Sequence, residues 1–307
     1  MTTTLHRLRE LLLRLLDLDR RIDEIKLNQG AVLCELQRSK PPGPLGDFEF
    51  KVFSQWGEDG IIQHLVRNVP IANRTFIEFG IQDFFESNCR YLMTKDHWHG
   101  FVIDGSESNI ARLRSSYFYW QHPLKSKAAF IDRDNVTALL EESGFDKDLG
   151  ILSVDVDGMD YHLLERLSDW RARIVIVEYN STFGRERAVT VPYDASFVRS
   201  KAHFSNLYYG ASLPAFQHLL ERRGYALVGV NSVGNNAFFV RRELLSERLP
   251  EVGIEACFRE SSFRETRNEA GELLYITARE GRKVMAHLPL IDTRTGSTLR
   301  VGDLFAG

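Results

Sequence analysis

The sequence predicts an α/β protein: a mostly parallel, doubly wound sheet that ends in an antiparallel hairpin strand, with a long helix ahead of it. Three observations carry this. Short apolar runs alternate with helical patterns from about residue 53 onward, the sign of right-handed βαβ units. Two late runs, 225–230 and 236–241, are separated only by Asn231-Ser232-Val233-Gly234-Asn235, which suits a hairpin. Residues 5–37 keep one helical period and stop at a linker holding Pro41, Pro42, Gly43, Pro44 and Gly46, which cannot continue a helix.

Within the first segment, Leu8, Leu11, Leu15, Leu18, Ile22, Ile25, Gln29, Val32 and Leu36 follow one another at alternating steps of three and four, a heptad seam. Leu12, Leu13, Leu16 and Leu27 widen the stripe. Two readings fit: a coiled coil joining copies of the chain or docking a partner, or an amphipathic helix packed on the chain's own body. The expected organisation is residues 1–40 as this helix and a homo-oligomer formed through it, 41–245 as the α/β domain, and 246–307 as a C-terminal extension.

After the linker, a helix carries Ile61, Ile62, Leu65 and Val66. Strands are expected at 75–79, 100–103, 128–131, 150–156 and 173–178, with helices near 88–95, 108–117, 136–142 and 161–170 between and after them. The strands are short apolar runs, as expected when both faces are covered. A helix over 213–223 stops at Gly224, a plausible C′ glycine. One further strand is expected at 288–291.

In an open α/β sheet, ligands bind beyond the carboxyl ends of the strands, so the residues following each strand carry the chemistry. Glu78 and Gly80 follow the first, but the full G-x-G-x-x-G fingerprint is absent, which disfavours a pyrophosphate cofactor such as NAD. Asp104 and Ser106 follow the second. Asp104 suits the two hydroxyls of an adenosine ribose, and either residue also suits a helix N-cap. Asp132 follows the third and is read either as an acceptor for an adenine amine or as part of a helix cap. Asp155 and Asp157 follow the fourth, with Glu178 and Asn180 after the fifth. Carboxylates this close repel one another unless a cation or proton compensates, and a hard divalent ion does so through oxygen ligands. Asp157 and Glu178 are therefore candidate metal ligands, with Asp155 or Asn180 as a third. The alternative is a metal-free site in which Asp155 binds a cofactor amine. His162 and His203 are candidates for a general base or ligand, or else ordinary surface histidines. Asp155, His162 and His203 form the candidate catalytic set. The segment Ser54-Gln55-Trp56-Gly57-Glu58-Asp59-Gly60 precedes a helix and either caps it or folds over a cofactor.

Several of these segments together resemble the FkbM-type methyltransferases, a branch of the class I S-adenosylmethionine-dependent enzymes. They are Ser54 to Gly60, Phe76-Ile77-Glu78-Phe79-Gly80, Ser87-Asn88, Ser153-Val154-Asp155-Val156-Asp157-Gly158, Ile176-Val177-Glu178-Tyr179-Asn180, Gly210-Ala211-Ser212-Leu213 and Asn235-Asn236-Ala237-Phe238-Phe239-Val240. The resemblance spans about residues 50–242. It implies a Rossmann-like class I methyltransferase fold and methyl transfer to a hydroxyl, often on a sugar or glycan. Carried onto this chain, it implies S-adenosylmethionine bound by the Glu78–Gly80 segment and Asp104, and the wider candidate binding set is Gln55, Gly57, Asp59, Glu78, Gly80, Asn88, Asp104, Ser106 and Asp132. The turn after the first strand, Gly80-Ile81-Gln82-Asp83-Phe84-Phe85-Glu86, departs from the family's glycine-rich form. A divalent metal, Mg or Mn, would orient vicinal hydroxyls and lower the acceptor's pKa. Tyr179, Phe183, Tyr208 and Tyr209 would wall the sugar face or belong to the core. A competing reading is a non-catalytic scaffold that keeps the fold and assembles through its coiled coil.

Composition bounds the partners. With 39 basic and 42 acidic side chains the formal charge is −3, which argues against nucleic acid held by phosphate contacts. Cys34, Cys89 and Cys257 give neither a disulfide framework nor a zinc pattern. No run approaches the roughly 20 apolar residues of a transmembrane helix, no signal peptide is recognisable, and a cytoplasmic location is expected.

Overall fold

The computed structural model describes residues 2–261 and 266–305; the side chains of residues 2–5 and 7–17 lie outside that description. Ten α-helices occur among the described residues: α1 (Thr2–Arg38), α2 (Glu58–Asn68), α3 (Arg90–Asp96), α4 (Glu107–Ser115), α5 (Val136–Glu141), α6 (Asp160–Arg166), α7 (Arg199–Ala202), α8 (Leu213–Glu221), α9 (Ile254–Cys257) and α10 (Ala278–Val284). The strands are β1 (Thr75–Phe79), β2 (His99–Asp104), β3 (Leu124–Ala128), β4 (Ile151–Val154), β5 (Ile174–Glu178), β6 (Val189–Thr190), β7 (Tyr225–Val230), β8 (Asn236–Arg241), β9 (Pro289–Asp292) and β10 (Thr298–Arg300).

Seven strands form one sheet in the order β3-β2-β1-β4-β5-β8-β7. The first five pair in parallel, and β8 lies antiparallel to both β5 and β7. This is the class I methyltransferase fold, with the hairpin strand inserted beside β5. Side-chain alternation explains the apolar runs. Ile77, Phe79, Leu152 and Val175 face one hydrophobic cluster, while Phe76, Ile151, Ile174 and Ile176 face the other; helices cover both faces. A second sheet, β10-β9-β6, ties the C-terminal segment to the body, and Leu290, Val301 and Leu304 join the larger cluster.

The third strand differs from the expectation. It runs over Leu124–Ala128, not 128–131. This is the sheet edge, and Lys125, Ser126 and Lys127 stay partly exposed there. The apolar run marks the chain leaving the strand, where Phe130 and Ile131 turn toward the carboxyl end of the sheet.

Helix α1 packs on the body through one face. Asp23, Gly30, Cys34 and Gln37 are buried. Asp23 Oδ2 accepts from the buried Arg90 guanidinium and from Tyr117 Oη at 2.5 Å. A Cβ on Gly30 would press on Tyr91 and Val52, so glycine permits the close approach. On the heptad, these positions fall opposite the seam. Leu18, Ile22, Ile25, Val32 and Leu36 face away and are 40–66% exposed. Both structural readings of the helix therefore bear on different faces of it. Leu8, Leu11, Leu15, Leu12, Leu13 and Leu16 lie outside the described side chains. Among the described residues no helix is long and apolar enough to cross a membrane.

Candidate functional site

The carboxyl ends of the parallel strands open on a cleft of about 600 Å³. Two recesses of about 180 and 90 Å³ branch from it. Gly80, Gln82 and Asp155 line all three, so the three spaces meet at the ends of β1 and β4. Gly80 has φ +68°, and a Cβ there would run into the Asp155 carbonyl oxygen. Only glycine lets these two strand ends approach and leaves bare backbone at the junction.

Acidic side chains define the main cleft. One oxygen each from Asp155, Asp157 and Glu178 lies within 4.8 Å of the others. Glu178 is buried, and its Oε2 has no hydrogen-bond partner. Burial, with Asp157 and Asp160 adding to it and Arg199 opposing, pushes the Glu178 carboxyl up to about 8. Asp155 is also raised well above the carboxylate range, by burial first and then by Glu178, Asp157 and Asp160. Asp160 supports the loop beneath: Oδ1 accepts from Val156 N at 2.7 Å and Oδ2 from Gly158 N at 3.0 Å. Three carboxylates, of which Glu178 is buried with an orphaned oxygen and Asp157 opens to solvent, form a hard-oxygen set that accommodates a divalent cation.

Arg199, absent from the sequence-based set, is the cation of this cleft. Its Nη1 donates to Asp157 Oδ1 at 2.8 Å and its Nε to the Asn206 carbonyl at 2.9 Å. The guanidinium lies 3.7 Å from the centroid of the Tyr209 ring. It sits in a four-residue helix within a long loop, where no periodicity or motif announces it.

The predicted binding residues divide. Gln55, Glu78 and Asn88 line the smaller recess. Glu78 accepts from Ser87 Oγ at 2.7 Å, Asn88 N at 2.8 Å and Cys89 N at 3.1 Å, shaping the loop after β1. Asp104 lines the larger recess with Gly105, Phe130, Ile131 and Met159. Its Oδ2 accepts from Gln82 N at 2.8 Å and its Oδ1 from Ser106 N at 2.8 Å, so it holds the junction loop while facing the recess.

Ser106, Asp132, Gly57, Asp59, His162 and His203 line none of the three spaces. Ser106 caps α4 by accepting from Asn109 N. Asp132 Oδ1 accepts from Asp134 N at 2.8 Å and Asn135 N at 2.9 Å, the turn entering α5. Gly57 N donates to Glu58 Oε2 at 3.0 Å. Asp59 Oδ2 gathers Val52 N, Phe53 N, Ser54 N and Ser54 Oγ within 2.9 Å; it folds the 52–54 loop. Asn180 reaches the cleft wall, yet its Nδ2 donates to the Leu207 and Tyr209 carbonyls and its Oδ1 accepts from Thr182 N. That leaves Asp155 as the third carboxylate beside Asp157 and Glu178. His162 is buried with Nε2 2.9 Å from the Val191 carbonyl, and His203 Nδ1 lies 2.7 Å from Ser205 Oγ. Burial lowers the pKa of both histidines. Of the four aromatic residues expected at the sugar face, Tyr209 lines the cleft, joined by Phe130 and Phe197. Tyr179, Phe183 and Tyr208 belong to the core cluster.

No family model matches the chain, and no curated protein matches it. Solved structures do. An S-adenosylmethionine-dependent methyltransferase from Clostridium acetobutylicum is 9% identical, with a TM-score of 0.38, over 59% of this chain and 88% of that one. An O-methyltransferase from Bacillus cereus in complex with SAH is 10% identical, TM-score 0.38, over 70% and 88%. The magnesium protoporphyrin IX methyltransferase of Synechocystis PCC 6803, with bound SAM, is 11% identical, TM-score 0.38, over 60% and 77%. These are likenesses of fold.

Proposed function

We propose that this chain is an S-adenosylmethionine-dependent O-methyltransferase acting on a hydroxyl of a sugar or glycan, assisted by a divalent cation, Mg or Mn. The observation that carries the reading is the convergence of Asp155, Asp157 and Glu178, with Glu178 Oε2 unpartnered, at the point where the two recesses enter the cleft.

The recesses fit the cofactor's two ends. Asp104 beside Gly105 offers acceptor oxygens for a ribose diol. Phe130, 54% exposed, stands with Ile131 and Met159 as apolar cover for a purine. The polar recess of Gln55, Glu78 and Asn88 suits an amino-acid end. When bound, the cofactor supplies an electrophilic sulfonium methyl. Bare backbone at Gly80 allows approach between the recesses.

On the acceptor side, Asp157 and Glu178 would hold the cation, whose chemistry is to orient vicinal hydroxyls and lower their pKa. Asp155 lines all three spaces, where its carboxylate stands between the methyl donor and the acceptor hydroxyl as the proton acceptor. Amide and hydroxyl groups of Thr182, Ser200, Asn206 and Ser261 line the same cleft, chemistry that matches a polyol. The exposed seam of α1 fits a second copy of the chain. Gln29 at a seam position favours a parallel, in-register pair, since a polar core residue is best satisfied by its own counterpart.

The test is transfer of a labelled methyl group from S-adenosylmethionine to a panel of sugars and glycans, with and without chelator. Transfer that chelator abolishes and Mg or Mn restores supports the reading. Transfer indifferent to chelator removes the cation, and tight cofactor binding without transfer to any acceptor favours a scaffold that keeps the fold.

A further inference from the structure

At the opposite end of the sheet, a separate polar cleft of about 290 Å³ opens beside the start of β1. A five-residue strand spans about 17 Å, so this cleft is remote from the carboxylate cluster. Four cations line it, and they arrive from four parts of the chain: Arg38 ends α1, Arg67 lies in the last turn of α2, Arg74 precedes β1, and Lys95 lies in the last turn of α3.

Cations near helix C-termini answer the helix dipole, and that alone explains each of three singly. It explains neither Arg74, which belongs to no helix, nor their convergence. Among the described residues Asp96 is the sole acid lining the cleft, and it is already engaged. Lys95 Nζ donates to Asp96 Oδ1 at 2.7 Å, and Gln63 Nε2 donates to Asp96 Oδ2 at 2.7 Å. Arg67 Nη2 donates to the Cys34 carbonyl at 3.2 Å, which fixes one edge of its guanidinium. Among the described residues Arg38 pairs only with the exposed Glu35 at 3.2 Å, on its own helix and outside the cleft. No acceptor among the described residues bonds the Arg74 guanidinium. Three guanidinium groups thus share one concavity of a chain whose formal charge is −3.

We propose that this cleft binds a small polyvalent oxyanion, the diphosphate group of a metabolite. A carboxylate is matched by one guanidinium fork, whereas a diphosphate presents enough oxygens and charge for several. The cleft volume sets the size class, and the overall negative charge disfavours a long polyanion.

The test uses inorganic pyrophosphate as probe, titrated calorimetrically into the full chain in chelator, so that no cation bridges it to the acidic cluster. The expected result is saturable one-to-one binding that weakens with added salt and falls tenfold or more in Arg74→Glu and in Arg67→Ala/Arg74→Ala. Arg74→Glu removes no internal bond, so its melting temperature should match the parent. Affinity for S-adenosylmethionine, measured separately, should be unchanged in both variants. Absence of saturable pyrophosphate binding in the parent, or equal binding in the variants, overturns the proposal without touching the methyltransferase reading.

Discussion

Arg199 and Asp157 form an ion pair at 2.8 Å across the acidic cleft, and the pair leaves Glu178, deeper in the same cleft, without a compensating bond on Oε2. One arginine against three carboxylates is an incomplete neutralisation. The divalent cation of the proposed function would complete it.

From this imbalance, Glu178→Gln should raise the melting temperature of the chelated protein near neutral pH, because it removes a carboxyl that burial pushes up to about 8 and that folding must therefore protonate or bury charged. The same substitution should abolish the stabilisation that added Mg or Mn gives the parent. Asp157→Ala should likewise lose that stabilisation and lower methyl transfer 100-fold or more while the far-ultraviolet circular dichroism stays native. Thermal melts with and without cation check both; a cation shift that persists in Glu178→Gln contradicts the ligand assignment.

Arg199→Ala should act in two directions. Asp157 is 67% exposed, so the lost pair is screened and costs about 1 kcal/mol of stability. Removing a competing positive charge should at the same time tighten cation binding several-fold, readable by calorimetry. Weaker cation binding in this variant would mean that Arg199 helps build the site instead of competing for it.

His64 should make the fold acid-sensitive. Its ring stacks on Phe48 at 3.6 Å, and burial lowers its pKa from 6.5 to about 4. A depressed folded-state pKa contributes stability that is fully present above the unfolded value and lost as pH falls through the folded one. The window is therefore pH 6.5 down to about 4. His64→Phe should lose less melting temperature than the parent across that window and behave like it above pH 7. Equal slopes would show that His64 does not carry the effect.

The two faces of α1 should separate by mutation. Ile25→Glu with Val32→Glu, both on the exposed seam, should lower the mass found by light scattering and leave the spectrum of the folded chain intact. Asp23→Ala, on the packed face, leaves Arg90 buried without its carboxylate and should cost about 3–5 kcal/mol. An unchanged mass in the seam variant would assign the exposed leucines and isoleucines no partner.

The sequence and the structure agree where one physical signal dominates. β1, β7 and β8 fall on the expected residues because their apolar runs are buried on both sides. β3 was illegible because an edge strand carrying Lys125 and Lys127 has no apolar run, and the two-residue β6 is too short to have any pattern. The packed face of α1 is equally silent: Asp23, Gly30 and Gln37 are buried through an ion pair, a close approach and hydrogen bonds, none of which hydrophobic periodicity reports. In the cleft, Asp155, Asp157 and Glu178 could be found because topology alone brings strand ends together. Arg199 could not, since its place depends on how the 193–209 loop folds back over them. His162 and His203 line none of the three spaces.

The most direct measurement is a calorimetric titration of the full chain with S-adenosylmethionine, alongside the Asp104→Ala and Phe130→Ala variants. The account predicts saturable one-to-one binding in the parent and at least tenfold weaker binding in both variants. No binding heat at millimolar cofactor, in protein that melts cooperatively, would contradict it.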